Sequence, residues 1–150
     1  MKARLQAVMT SLVVLVGVAS CAVNEEEKLL GHWKSDEPRT LAELRDARDK
    51  GKLTPWAEER IDVLSEDFFG RLEVEIEPGR SRTWFPDESP ENVEWTTSRI
   101  ELLGSGHYRV TEVPSDSDVP PREILLEPDG RCYRVNQPEL GFSEWFCRSR

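Results

Sequence analysis

Arg71-Leu72-Glu73-Val74-Glu75-Ile76-Glu77-Pro78-Gly79 is the stretch on which the fold turns. Apolar and acidic residues alternate without a break, the period-2 pattern of a half-buried strand. Leu72, Val74 and Ile76 share the face that must turn inward. Glu73, Glu75 and Glu77 share the opposite, solvated face. Pro78-Gly79 then reverses the chain.

Downstream, strand candidates recur at short spacing: Arg80 to Phe85, Val93 to Thr97, Arg99 to Leu103, His107 to Val113, Arg122 to Glu127, Arg131 to Val135 and Ser143 to Arg148. Gly104-Ser105-Gly106, Pro120-Pro121 and Pro128-Asp129-Gly130 separate several of them with turn chemistry. Ser115-Asp116-Ser117-Asp118-Val119-Pro120-Pro121 reads as a polar loop. Evenly spaced strands joined by such turns indicate an antiparallel meander, a small barrel or a sandwich.

Upstream the period is near 3.6. Thr40-Leu41-Ala42-Glu43 has capping-box spacing, and Leu41, Leu44 and Ala47 fall on one side before Gly51. Thr54-Pro55 opens a second helix, whose stripe is Ala57, Ile61, Leu64 and Phe68. A helical hairpin is therefore expected over 40–69, ahead of the alternating strand. Gly31-His32-Trp33-Lys34-Ser35-Asp36 supplies a strand before it. The expected class is α+β, mostly antiparallel, with a two-helix insertion after the first strand.

Length and charge narrow the function. The chain has 150 residues and a formal net charge of −9. Residues 1–20 carry Lys2 and Arg4 and no acid, so the remainder has 18 Lys and Arg against 29 Asp and Glu, a net of −11. Such a surface repels nucleic acid and anionic headgroups. The hairpin is accordingly not read as a DNA-binding motif.

The basic start leads into an apolar run from Ala7 to Ala19. Those 13 residues include Thr10 and Ser11 and fall short of the roughly 20 that a spanning helix needs. A basic head, a short apolar run and small residues before a cut site make a secretory signal over 1–20. Val18-Ala19-Ser20-Cys21 resembles a bacterial lipobox. That resemblance implies cleavage before Cys21, lipidation of its sulfur and acylation of the new amino terminus. It also implies residence in the cell envelope. Ala22, where an Asp would retain the protein at the inner membrane, implies the outer membrane facing the periplasm. Residues 21–28 would then be a short lipidated tether, and 29–150 a single β-rich domain. A plain signal with a chance Cys, or a retained helix, are the alternatives.

Cys132 and Cys147 are the other two cysteines. In an exported chain they read as a disulfide. Two thiols alone do not complete a zinc site. Asp116-Ser117-Asp118 lacks the further ligands of a calcium loop. No metal or cofactor is expected.

Gly31-His32-Trp33 at the first strand resembles the Gly-x-Trp opening of lipocalins and related calycin barrels. The resemblance implies that Trp33 plugs one barrel end and that a late Arg packs over its ring, with Arg148 as candidate and Arg150 second. It also implies a cup for a small apolar ligand.

An enzyme cannot be assembled from these residues. His32 and His107 are the neutral-pH bases, and neither has a recognisable nucleophile setting. No catalytic residue is assigned. Trp84, Trp95 and Trp145, with Arg131 and Arg134 in the last hairpin, form a candidate contact surface for an envelope protein or a glycan. Core filling and cross-strand pairing with Glu are the competing roles for these side chains. The reading is a membrane-anchored, non-enzymatic interaction module, with a carrier of a small apolar ligand as the alternative. A cavity of at least about 300 Å3 in a closed barrel favours the carrier. A filled core with an exposed aromatic patch favours the interaction module.

Overall fold

The alternating stretch forms strand β2, Glu73–Glu77, and the Pro78-Gly79 turn delivers β3, Arg80–Trp84, with Glu77 opposite Arg80. Gly79 sits at φ 76°, the left-handed position that a Pro-Gly turn requires and glycine fills without strain. The computed structural model describes residues 24–113 and 120–149. The expected leader over 1–20, Cys21, Asp116-Ser117-Asp118 and Arg150 lie outside the described residues.

Eight antiparallel strands close into an up-and-down barrel in sequence order. Besides β2 and β3 they are β1 (Gly31–Ser35), β4 (Thr96–Gly104), β5 (His107–Glu112), β6 (Arg122–Leu126), β7 (Cys132–Gln137) and β8 (Phe142–Arg148). The expected strands at 93–97 and 99–103 are one strand, β4, entered through a 3-10 turn at Pro90–Asn92. Ser98, which lies between those two candidates, faces inward and is buried, so the alternation runs through it. Closure leaves no open sheet edge. Among the described residues no helix is long and apolar enough to cross a membrane.

The insertion after β1 differs in detail from its expected form. Helix α1 spans Glu37–Asp49 and is capped by Asp36, whose carboxylate accepts from the Arg39 N–H at 3.1 Å. Thr40 is therefore inside the helix, fully buried, with another role. Strand β1 ends at Ser35 opposite Phe146, so on that side Trp145 of β8 has no strand partner, although β7 pairs with it on the other. There α1 takes over. The Thr40 hydroxyl accepts from the Trp145 N–H at 3.0 Å, and the Trp145 carbonyl accepts from the Asp36 N–H at 2.8 Å. One buried hydroxyl thus completes the backbone pairing that the short strand cannot supply.

The second helix, α2, runs only over Pro55–Glu59, capped by Thr54 as its sequence indicates. A helical stretch at Ile61–Val63 continues into a π-helical turn at Leu64–Phe68. The wider turn rotates the apolar stripe by one residue. Phe69 is buried in place of Phe68, which stays exposed.

Two apolar clusters result. One fills the lower barrel with Leu29, Trp33, Ile76, Tyr108, Ile124, Tyr133 and Phe146. The other joins the insertion to the rim through Leu44, Ala47, Leu53, Ala57, Leu64, Phe69 and Phe142. The connections after β1, β3, β5 and β7 share one end of the barrel, its mouth. The tight turns after β2, β4 and β6 share the other.

Candidate functional site

The turn end is shut. A 3-10 turn at Glu25–Leu29 crosses it, Leu29 is fully buried, and the Trp33 indole N–H donates to the Leu29 carbonyl at 2.9 Å. Tyr108 donates its hydroxyl to the Glu25 carbonyl at 2.8 Å. Arg148 lies over Trp33, its guanidinium carbon 4.1 Å from the ring centroid. Its nitrogens donate to the carbonyls of Lys28, Leu30 and Gly130 at 2.7, 2.9 and 3.3 Å. One planar cation thus ties the entering chain, the β6–β7 turn and the plugging ring together. Gly31 makes room for it: φ is 119°, and a Cβ there would meet Arg148 Nη1 at 3.0 Å. The two residues of the Gly-x-Trp stretch and Arg148 therefore meet at one point.

Above this plug the barrel holds a cavity of about 230 Å3. Its walls are mainly the inward residues of β2 to β8, among them Val74, Ile100, Val110, Ile124 and Val135. At the mouth the cavity shares Leu72, Arg122, Gln137 and Glu144 with a vestibule of about 670 Å3. The vestibule is roofed by the insertion through Trp56, Leu64, Phe68 and Phe69. The inner space alone lies below the roughly 300–1,000 Å3 usual for ligand pockets, and the vestibule lies within it.

One polar group stands out inside. Glu144 is 1% exposed and points inward from β8 between Phe142 and Phe146. The Ser35 hydroxyl donates to it at 3.0 Å, and the Gly70 N–H and the Gln137 amide are nearby donors that favour its ionised form. Burial pushes its carboxyl up to about 7, against the pull of those three donors toward ionisation. Tyr133, on the neighbouring strand, lines the same cavity, and burial raises its phenol well above the ordinary range. Glu112 and Arg122 complete the charged lining. Arg122 forks onto Glu139 at the rim with both terminal nitrogens.

The outer face carries most of the candidate contact residues. Trp84 is buried and stacks on His32 with centroids 5.4 Å apart, while His32 Nε2 meets Glu73 at 2.8 Å. Trp95 carries two stacked cations, Arg80 and Arg82, at 4.2 and 4.4 Å. Arg82 also forks onto Glu75, and Arg80 pairs with Glu77, so the acids of β2 are paired rather than bare. Trp145 is half-buried beside α1, with Arg39 at 4.0 Å from its ring and its N–H donating to Glu43. Arg131 and Arg134 are exposed. His107 meets Glu123 at 3.1 Å on the outside of the barrel. Cys132 and Cys147 are paired register neighbours on β7 and β8 and form a disulfide.

Glu144, Gln137 and Arg122 are absent from the sequence-derived candidates. The one signal for Glu144 is parity: in Phe142-Ser143-Glu144-Trp145-Phe146 an acid occupies the face of two phenylalanines. Comparison with protein-family models, with curated proteins and with solved structures gives no match to this chain.

Proposed function

We propose that the protein is a non-enzymatic binding module of the bacterial cell envelope, anchored through acyl chains on Cys21, whose barrel holds a small, largely apolar ligand. The single observation that carries the ligand reading is the pairing of the inner cavity, too small for a ligand by itself, with the vestibule beneath the insertion, the two sharing Leu72, Arg122, Gln137 and Glu144. Small eight-stranded barrels either fill their interior with side chains or hold one small ligand. A shut lower end and an open, aromatic-roofed upper end suit the second. Gly31, Trp33 and Arg148 at the shut end support a lipocalin-like architecture. The helical insertion after β1 departs from it and supplies the roof. Contact with an envelope protein or glycan through Trp84, Trp95 and Trp145 has less support, because stacked Arg or His covers these rings. The anchor rests on the lipobox-like residues 18–21 and on the acidic surface, which leaves membrane contact to the lipid.

Saturable binding of the neutral fluorophore N-phenyl-1-naphthylamine tests the ligand reading. The full-length chain with Cys21→Ser, free of acyl chains and detergent, is expected to bind one equivalent. Val110→Trp, which fills the cavity, should abolish the fluorescence rise. Absence of saturable binding, or an equal rise with Val110→Trp, would refute the reading.

A further inference from the structure

The charged groups of the interior do not balance. Three line the inner cavity: Arg122 on β6, Glu112 on β5 and Glu144 on β8. Arg122 is already engaged by Glu139, so its charge is met at the rim. Glu144 accepts a hydrogen bond from the Ser35 hydroxyl, and the other donors near it, the Gly70 N–H and the Gln137 amide, are neutral as well. Neither Glu112 nor Glu144 has a cationic partner among the described residues. The remaining titratable neighbour, Tyr133, brings no positive charge.

We propose that the barrel interior selects ligands that carry a compact protonated amine on an apolar body, with the amine seated on Glu144. The inference rests on the ligand reading above and names the ligand class. The geometry supplies both halves of such a molecule. Leu72, Val74, Ile100, Val110 and Val135 surround an alkyl or aryl body, and a nearly inaccessible carboxyl waits at the boundary with the vestibule. A charge-assisted hydrogen bond there replaces the counter-cation that the protein itself omits. A carboxylate ligand would meet two interior acids and an Arg that is already forked. The acidic surface also concentrates cations near the mouth. Burial holds the empty carboxyl near its half-protonated point at neutral pH. An entering ammonium ion favours the ionised form, so that the proton leaves to solvent as the ligand enters.

Competition against N-phenyl-1-naphthylamine on the full-length Cys21→Ser chain separates the outcomes, using n-octylamine, n-octanol and n-octanoate below their micellar concentrations. Octylamine should compete about tenfold better than octanol, the yield of one charge-assisted bond, with octanoate weakest. Calorimetry of octylamine binding in two buffers of different ionisation enthalpy should show release of about half a proton at pH 7 and almost none at pH 9. Glu144→Gln should lose both the amine preference and the proton release. If that variant fails to fold, proton release by the Glu144-containing chain decides alone. Equal competition by all three probes, or no proton release at pH 7, overturns the amine class and leaves the ligand site standing. If neither the fluorophore nor any of the three probes binds, the ligand reading falls and this inference falls with it.

Discussion

Arg148 and Glu144 sit at opposite ends of the same interior, and each makes a distinct demand on stability. Arg148 joins a cation–π contact to three carbonyl bonds at the shut end. Its partial exposure reduces the contribution of each. Arg148→Ala should destabilise by about 1–3 kcal/mol. Urea unfolding would show a lower midpoint at unchanged slope. Arg148→Lys should recover little, because an ammonium cannot stack flat while reaching three carbonyls. Glu144 acts with the opposite sign. Its carboxyl is raised from 4.5 to about 7 in the folded chain, so between those values the folded state binds more protons than the unfolded one. Its contribution to unfolding free energy therefore falls as pH rises from about 4.5 to 7, by about 3 kcal/mol. The difference between the original chain and Glu144→Gln, followed by denaturant unfolding across that range, should show this slope. A flat difference would place the carboxyl in contact with water.

At the scale of elements, the sheet was far more legible than the insertion. Leu72, Val74 and Ile76 announced β2 because one side of a barrel strand is wet and the other dry, so burial writes itself into alternation. Most strand limits downstream fell within a residue or two for the same reason. The helices were harder, because their residues answer to the barrel as well as to the helix. Thr40 has the spacing of a cap but serves the backbone of β8, a demand set by a strand about a hundred residues later. Phe68 and Phe69 exchanged places because a π-helical turn breaks the 3.6 period. Glu144 carries no such signal, since an acid on an inward face breaks the alternation that marks that face. The disulfide belongs to this scale as well. It links Cys132 and Cys147 across the β7–β8 ladder, a sequence separation of 15. Closing a loop of that size contributes about 3 kcal/mol in the chain-entropy model. Cys132→Ser should lower the melting temperature in non-reducing buffer by about 10 °C. An unchanged melting temperature would show that the strand ladder alone holds the hairpin.

The whole molecule combines a barrel, a roof and an address. The barrel is closed by eight strands and plugged at its turn end. The roof is a helical insertion with its own apolar cluster, fixed to the rim by Phe69 against Phe142 at 4.7 Å between ring centroids. The proposed address is the lipobox-like Val18-Ala19-Ser20-Cys21. Cys21→Ser should move the protein from the membrane to the soluble envelope fraction, and unchanged detergent partitioning would reject the anchor. The ligand account stands or falls separately, on whether small molecules enter the barrel. Methyl-labelled nuclear magnetic resonance of the full-length Cys21→Ser chain, titrated with N-phenyl-1-naphthylamine, tests this most directly. The account predicts saturable shifts at Val74, Ile100, Val110, Ile124 and Val135, which line the interior, with the exposed Val63 unmoved. Shifts confined to Val63 and other surface methyls, with the interior set silent, would contradict it.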